Sequence, residues 1–340
     1  MDTQLPHDFT LRRPTMDDLP AAAALVFACD PFEFETDTVD LAAEDLRSDW
    51  RTLRLERDAW LVESADGRLA ALQELHSNDH GSFRAALWVH PDVRRRGVGS
   101  HLIGLAEARA RERIPEEPAE ARITLQGHLD ASDEAARRFA ERHGAERVRS
   151  SWRMEIALDA APEPVAWPAG IAVRTLVPGR DEYTAFEAVQ EAFADHYGHV
   201  PISFERWRAW NVERGDFDPT LWFLAWDGET IAGGAHCWAF PGTDLGWVGN
   251  LYVRRPWRRS GLGLALLRHA FAECYRRGMP RVGLGVDTQN LTGAMRLYER
   301  AGMHVVRQWD TYERELRPGV RLGTQSLDEP RREPAREATA

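Results

Sequence analysis

The chain has 340 residues, 43% of them apolar, and a formal net charge of −11. At roughly 150 residues per domain this length predicts two domains, and the apolar share excludes a wholly disordered chain. All 43 strongly basic residues are arginine, which excludes lysine Schiff-base chemistry and the lysine-bearing phosphate loop.

The acidic balance argues against a nucleic-acid partner. Residues Met1 to Thr10 show neither the basic nor the apolar region of a secretion signal, and no run approaches 18 apolar residues; a cytoplasmic protein without a membrane span is expected. Cys29, Cys237 and Cys274 are odd in number and far apart, so neither a disulfide nor a metal site is expected.

In chain order, the first half opens with a strand at Leu11-Arg12-Arg13 and a helical region over Asp17–Cys29. A hairpin follows with its turn at Asp66-Gly67. The apolar strand Leu87-Trp88-Val89 leads into Arg94-Arg95-Arg96-Gly97-Val98-Gly99 and a helix from near Ser100. A strand over Arg122–Gln126, a short helix closed by Gly144 and a last strand complete the half. Asp159 to Gly170, rich in Ala, Pro and Gly, reads as a linker.

The second half repeats the plan. Val173-Arg174-Thr175 opens it, Glu182–Ala194 is helical, and Asp227-Gly228 turns a hairpin. Leu251-Tyr252-Val253 precedes Arg258-Arg259-Ser260-Gly261-Leu262-Gly263 and a helix from near Leu264; a strand over Val282–Val286 and a helix closed by Gly302 follow. The chain is therefore a tandem duplication: one domain over 1–158, the linker over 159–170, a second domain over 171–318, and a polar, disordered tail over 319–340. Strands and helices in this order imply an α/β fold with helices on both faces of each sheet.

The R-x-x-G-x-G turn between strand and helix suits a pyrophosphate. Successive backbone N–H groups point outward together, the helix N-terminus adds partial positive charge, and glycine admits close approach. It has neither the lysine of the P-loop nor the three-glycine spacing of the dinucleotide fingerprint. The candidate cradles are Arg94, Arg95, Arg96, Gly97, Val98, Gly99 and Ser100, and Arg258, Arg259, Ser260, Gly261, Leu262 and Gly263.

On these turns, and on the stretch from Asn290 to Gly302, the chain resembles the GNAT N-acetyltransferase superfamily twice over, from about Leu11 to Arg317. Its tandem layout is similar to that of mycothiol synthase. The resemblance implies two mixed, mostly antiparallel twisted sheets and an acetyl-CoA cosubstrate. It implies that Leu87, Trp88 and Val89, or Leu251, Tyr252 and Val253, splay from the neighbouring strand and pair with the pantetheine arm. Pro91 follows its valine by two residues and Pro256 by three, a departure that leaves the valine-to-arginine spacing unchanged.

The resemblance also assigns roles. Tyr298 matches the family's general acid, and Asn290 the asparagine that steadies the pantetheine region; Ala140 and Ser132 hold these positions in the first half. The second half is thus the expected catalyst and the first a degenerate copy that still offers a cradle for a second CoA. The family's common glutamate base is replaced by Trp247, and by Phe83 in the first half. If a hairpin turns near Pro241-Gly242-Thr243, period-2 arithmetic puts His236, Trp238 and Trp247 on one face. His236 is then a candidate base, a structural histidine being the other reading.

The implied acceptor pocket draws on Asp195-His196-Tyr197-Gly198-His199, Trp207, Trp210 and Asp310, carboxylates and aromatic walls that suit a cationic amine. The expected activity is transfer of an acyl group from acetyl-CoA to a small-molecule amine. Acetylation of a cysteinyl sugar, and a non-catalytic acyl-CoA-binding protein, are the alternatives. The oligomeric state is open, a monomer being consistent with two fused domains.

Overall fold

A computed structural model of the chain describes residues 4–29, 39–77, 81–194, 199–240, 242–289 and 293–322. These divide into two compact units. The first contains β1 (Phe9–Arg12), α1 (Leu19–Cys29), α2 (Val39–Thr52), α3 (Leu55–Asp58), β2 (Ala59–Ser64), β3 (Leu69–Ser77), β4 (Ser82–Val89), α4 (Val98–Arg113), β5 (Ile123–Asp130) and α5 (Glu134–Arg142). The second contains most of β6 (Glu146–Ala157), then β7 (Ile171–Thr175), α6 (Glu182–Phe193), α7 (Phe204–Asn211), β8 (Trp222–Asp227), β9 (Thr230–Ala239), β10 (Leu245–Val253), α8 (Leu262–Arg276), β11 (Arg281–Asp287) and α9 (Ala294–Arg300). The last strand, β12 (His304–Arg317), joins the first unit from Asp310 onward.

The strand order is β1-β2-β3-β4-β5-β12 in the first unit and β6-β11-β10-β9-β8-β7 in the second. Strands β1 to β4, β7 to β10, and β6 with β11 pair antiparallel, whereas β4 with β5 and β10 with β11 are parallel. The hairpin turns fall where expected, with Gly67 at φ 82° and Gly228 at φ 58°. Helices α4 and α8 begin at Val98 and Leu262, two residues earlier than expected, because Gly97 and Gly261 act as left-handed N-caps.

The two halves of the sequence do not coincide with the two units. Strand β6, at the end of the first half, pairs with β11 from Arg281 opposite Ala157 to Asp287 opposite Ser151. Its Met154 is part of the second unit's core, and Trp152 and Ile156 pack against that core. The end of β12 goes to the first unit instead. Arg122 bonds Glu315 at 2.6 Å and also Glu313, and Leu316 packs on the first core. Beside the expected 1–158 and 171–318, the compact units take Met1–Val148 with Asp310–Leu322, and Arg149–Trp309. Period-2 alternation says which face of a strand is buried and not which sheet receives it. The chain also stays ordered past 318: Val320 bridges Ala121 and Leu322 packs on the first core. Residues 323–340 lie outside the described set.

Each sheet is covered on both faces. In the second unit, Leu262, Leu266, Leu267 and Phe271 of α8 pack with Ala235, Cys237 and Val248 on one face. Burying each such leucine or phenylalanine contributes about 1.5–3 kcal/mol, so α8 is firmly seated. The opposite face carries Trp222, Leu224 and Tyr252 beneath α6 and Trp207 of α7. In the first unit α4 covers Val62, Ala71, Leu75 and Phe83, while α1 and Trp50 of α2 cover Leu61 and Leu72.

Candidate active site

In each unit the parallel ladder is short. Strand β10 pairs with β11 only at Leu245–Arg281, Gly246–Val282 and Trp247–Gly283. Beyond Trp247 the β11-side backbone of β10 has no ladder partner among the described residues. The register with β9 shifts between Val248 and Asn250. This bulge centres on Gly249, where the Trp238 ring lies so close that a Cβ would meet it at 1.8 Å. The added residue kinks β10 away from its neighbour. Strand β4 leaves β5 likewise, after Ser82–Thr124, Phe83–Leu125 and Arg84–Gln126. Beyond these pairs the gap-side backbone of β4 and β10 has no ladder partner among the described residues, so an extended amide-bearing ligand can add there as a strand does.

The side chains along these free edges are structural. Leu251 and Val253 pack into the α8 core, and Leu87 and Val89 into the α4 core. Tyr252 and Trp88 point to the opposite faces. This leaves the backbone of Leu87-Trp88-Val89 and Leu251-Tyr252-Val253 facing the gaps.

The two R-x-x-G-x-G turns have the same backbone. Arg95 and Arg259 adopt φ of 65° and 62°, and Gly97 and Gly261 adopt 90° and 88°. A non-glycine residue in this region costs about 1–2 kcal/mol, so the repetition of the strain marks the turn geometry as the feature retained. The displaced proline of the second copy does not alter it. The first arginine of each motif bonds its own strand: Arg94 Nε donates to the Val89 carbonyl at 3.3 Å, and Arg258 Nε to the Val253 carbonyl at 3.1 Å. These arginines brace the turn, which the spacing did not reveal. Arg96 pairs with Asp8 and lies over Phe9. Ser260 Oγ donates to the Trp257 carbonyl at 2.6 Å.

Arg95 and Arg259 are exposed, with no hydrogen bond or ion pair among the described residues. They are the cations available to an anion on the turn. The two glycines of each motif differ in purpose. A Cβ on Gly261 meets nothing within 4 Å, whereas one on Gly263 would lie 3.0 Å from Leu297 and one on Gly99 3.4 Å from Phe139. The first glycine supplies the left-handed turn, and the second lets the helix pack closely on α9 or α5. Val98 and Leu262 are buried beneath their helices, and Ser100 lies in the first turn of α4.

Tyr298, on α9, is 8% exposed and joins the α8-side core. Its hydroxyl makes no hydrogen bond among the described residues, and burial pushes it up to about 12. The phenol thus keeps its proton throughout the neutral range. Asn290 lies outside the described residues.

His236 lies on the opposite face. It is fully buried, stacked on Trp222 at 3.9 Å between ring centres, with Nε2 3.3 Å from the Tyr252 hydroxyl. Its Nδ1 and the indole nitrogens of Trp222 and Trp238 have no hydrogen-bond partner among the described residues. Burial holds the imidazole down at about 3, which argues against its taking a proton directly from an acceptor amine. The role expected of His236 narrows to positioning Tyr252 and Trp222. The predicted sharing of a face by His236, Trp238 and Trp247 agrees with the observed register.

A consequence for stability follows from the depressed value. The folded state refuses a proton that the unfolded chain accepts near pH 6.5, so this contribution is complete above pH 6.5 and lost as pH falls toward about 3. Urea unfolding of the wild-type chain and of His236→Phe, compared from pH 7 to pH 4, should show a shallower acid loss in the variant. Parallel curves would refute it.

The residues named for the acceptor pocket lie as follows. Trp207 is buried in the α6–α7 core and Trp210 is exposed beneath Arg206. Asp310 is grouped with the first unit, its carboxylate 3.6 Å from Arg147. His199 is half-buried, and Asp195-His196-Tyr197-Gly198 lie outside the described residues.

A profile of the acetyltransferase (GNAT) family matches residues 20–145 and 184–303. A mycothiol acetyltransferase of Geodermatophilus obscurus is 35% identical over 250 residues, covering 71% of this chain and 77% of its own. That of Kineococcus radiotolerans is 33% identical over 305 residues, covering 84% and 95%. A GCN5-related N-acetyltransferase from Sphaerobacter thermophilus superposes with a TM-score of 0.80 at 40% identity, over 95% of this chain and 100% of that one. A tandem GNAT protein from the clavulanic acid biosynthesis pathway shares the fold, with a TM-score of 0.68 at 21% identity over 92% and 100%.

Proposed function

The chain belongs to the acetyltransferase (GNAT) family, and from that premise we propose that its second unit transfers the acetyl group of acetyl-CoA to the amine of a small molecule. The observation that carries this reading is the parting of β10 from β11 ahead of a strained turn that opens α8. The free backbone of Leu251 to Val253 suits the amides of pantetheine, and the turn from Arg258 to Gly263, with Arg259 beside it, suits pyrophosphate. Tyr298 donates its proton to the sulfur as the C–S bond breaks. An ordered water takes the proton of the attacking amine, because Trp247 stands where a carboxylate base would.

Free-thiol release should follow acetyl-CoA addition with at least one amine of a broad panel. The cysteinyl-sugar amine belongs on that panel because the relatives named above are mycothiol acetyltransferases. Tight acetyl-CoA binding with no release on any amine would favour the non-catalytic alternative.

The equal backbone of the first turn supports a second CoA in the first unit, held by Arg95, Gly97 and the N-terminus of α4. Calorimetry should give two acetyl-CoA per chain, falling to one in Gly97→Asp; one in both would exclude the second site. Among the described residues no helix is long and apolar enough to cross a membrane. Cys29, Cys237 and Cys274 form no disulfide among the described residues, which suits a reducing cytoplasm.

A further inference from the structure

The first unit carries polar machinery at the place where the second carries its dry aromatic stack. Glu74 of β3 pairs with Ala86 as His236 pairs with Asn250. Glu74 is fully buried, and its carboxylate is held on both sides: Trp50 Nε1 donates to Oε1 at 2.6 Å, and His76 Nε2 lies 2.8 Å from Oε2. A carboxylate this deep persists only when hydrogen-bonded. Because it only accepts, Nε2 of the neutral His76 ring carries the proton and Nδ1 keeps its lone pair. The His76 side chain is 12% exposed, and Nδ1 has no hydrogen bond among the described residues.

His76 stands directly opposite Arg84, the last residue of β4 that still pairs with β5. It is therefore one strand away from the point where the gap opens. Asp49 of α2 lies 4.0 Å from His76 and 3.6 Å from Arg84. His128, two residues beyond the Gln126 that pairs with Arg84, lies on the same face and within electrostatic reach of Arg84. Asp49, Glu74 and His76 offer three metal-ligand atoms within 4.8 Å of one another, but the Arg84 cation beside them opposes a divalent ion.

We propose that the first unit is a second transfer centre, in which His76, oriented by Glu74, is the general base for an amine bearing an anionic group. This rests on the acetyl-CoA reading above and adds a site to it. The amine nitrogen attacks the thioester carbonyl, the C–N bond forms and the C–S bond breaks. His76 Nδ1 takes the proton the nitrogen loses, and Glu74 stabilises the resulting imidazolium. With Ala140 in place of a tyrosine, His76 returns that proton to the departing sulfur, so the products are the amide and the thiol. Arg84 pairs with the acceptor's anionic group.

The test uses the full chain carrying Tyr298→Phe and Gly261→Asp, which disables the second centre. Thiol release from acetyl-CoA is followed with amino acids and with their amides. Residual release is expected with at least one amino acid, slower with its amide, and reduced about 100-fold by His76→Ala and at least 10-fold in kcat by Glu74→Gln. No residual release, no preference for the acid, or release unchanged by His76→Ala overturns the proposal. Loss of wild-type release in the double variant, with His76→Ala silent in the wild-type chain, keeps the second-unit reading and removes this one. Nitrogen NMR of the unaltered protein guards against variants that fail to fold. A proton on Nε2 of neutral His76 supports the proposal, and a proton on Nδ1 refutes it.

Discussion

Replacing Tyr298 with phenylalanine is expected to lower kcat by about 100- to 1,000-fold, the range of a lost general acid, while KM for acetyl-CoA changes only a few-fold. The ring is packed in the α8-side core, and phenylalanine keeps that packing. The hydroxyl makes no hydrogen bond among the described residues, so its removal strands no partner and the fold should be unaffected. The loss would therefore fall on the chemical step, because an uncompensated thiolate is a poorer leaving group than one receiving a proton. Burial pushes the phenol up to about 12, so its deprotonation is not expected to lower the rate in the mildly alkaline range. An alkaline limb near pH 9 must come from another group and should persist in the variant. Steady-state thiol release from pH 7 to pH 10 measures both points. A rate within three-fold of wild type would remove Tyr298 from the acid role.

Gly261→Asp is expected to weaken acetyl-CoA binding at the second unit by about 100-fold, equivalent to about 2.7 kcal/mol, with little loss of stability. The two effects separate for physical reasons. Gly261 sits at φ 88° and nothing lies within 4 Å of an added Cβ, so the cost of substitution is backbone strain without a clash. Aspartate tolerates the left-handed region better than most residues, and its carboxylate at an N-cap favours the helix. That same carboxylate occupies the space an anion needs and repels it. Gly261→Ala supplies the strain without the charge and should lose far less affinity. Calorimetry and thermal unfolding of both variants decide the matter: equal losses of affinity would assign the effect to backbone geometry alone.

Most strands and the helices that follow both R-x-x-G-x-G turns were legible along the chain, whereas α2, α3 and α7 were not. The Asp-Gly hairpins, the helix-closing glycines Gly144 and Gly302, and the paired R-x-x-G-x-G motifs depend on local backbone conformation, which neighbouring residues dictate. The catalytic surroundings were less so. His236 read as a base because its ordinary titration range suits one. Its full burial against Trp222 comes from residues brought together across β8, β9 and β10. That Arg94 and Arg258 also brace carbonyls of their own strands depends on how each turn folds back on its strand. In the first unit, Glu74, His76, Asp49 and Arg84 come from α2 and two strands, and no spacing announces them.

By itself the sequence determined a lysine-free tandem α/β chain with two R-x-x-G-x-G turns, where any anion would have to be held by backbone amides and arginine. Those properties follow from residue type and short-range geometry. Only the tertiary structure decided which sheet each final strand completes, which arginines face solvent, and which histidines are sealed from water. These depend on contacts between segments far apart in the chain, where strand periodicity is the same for every available edge and burial, rather than residue type, sets the chemistry.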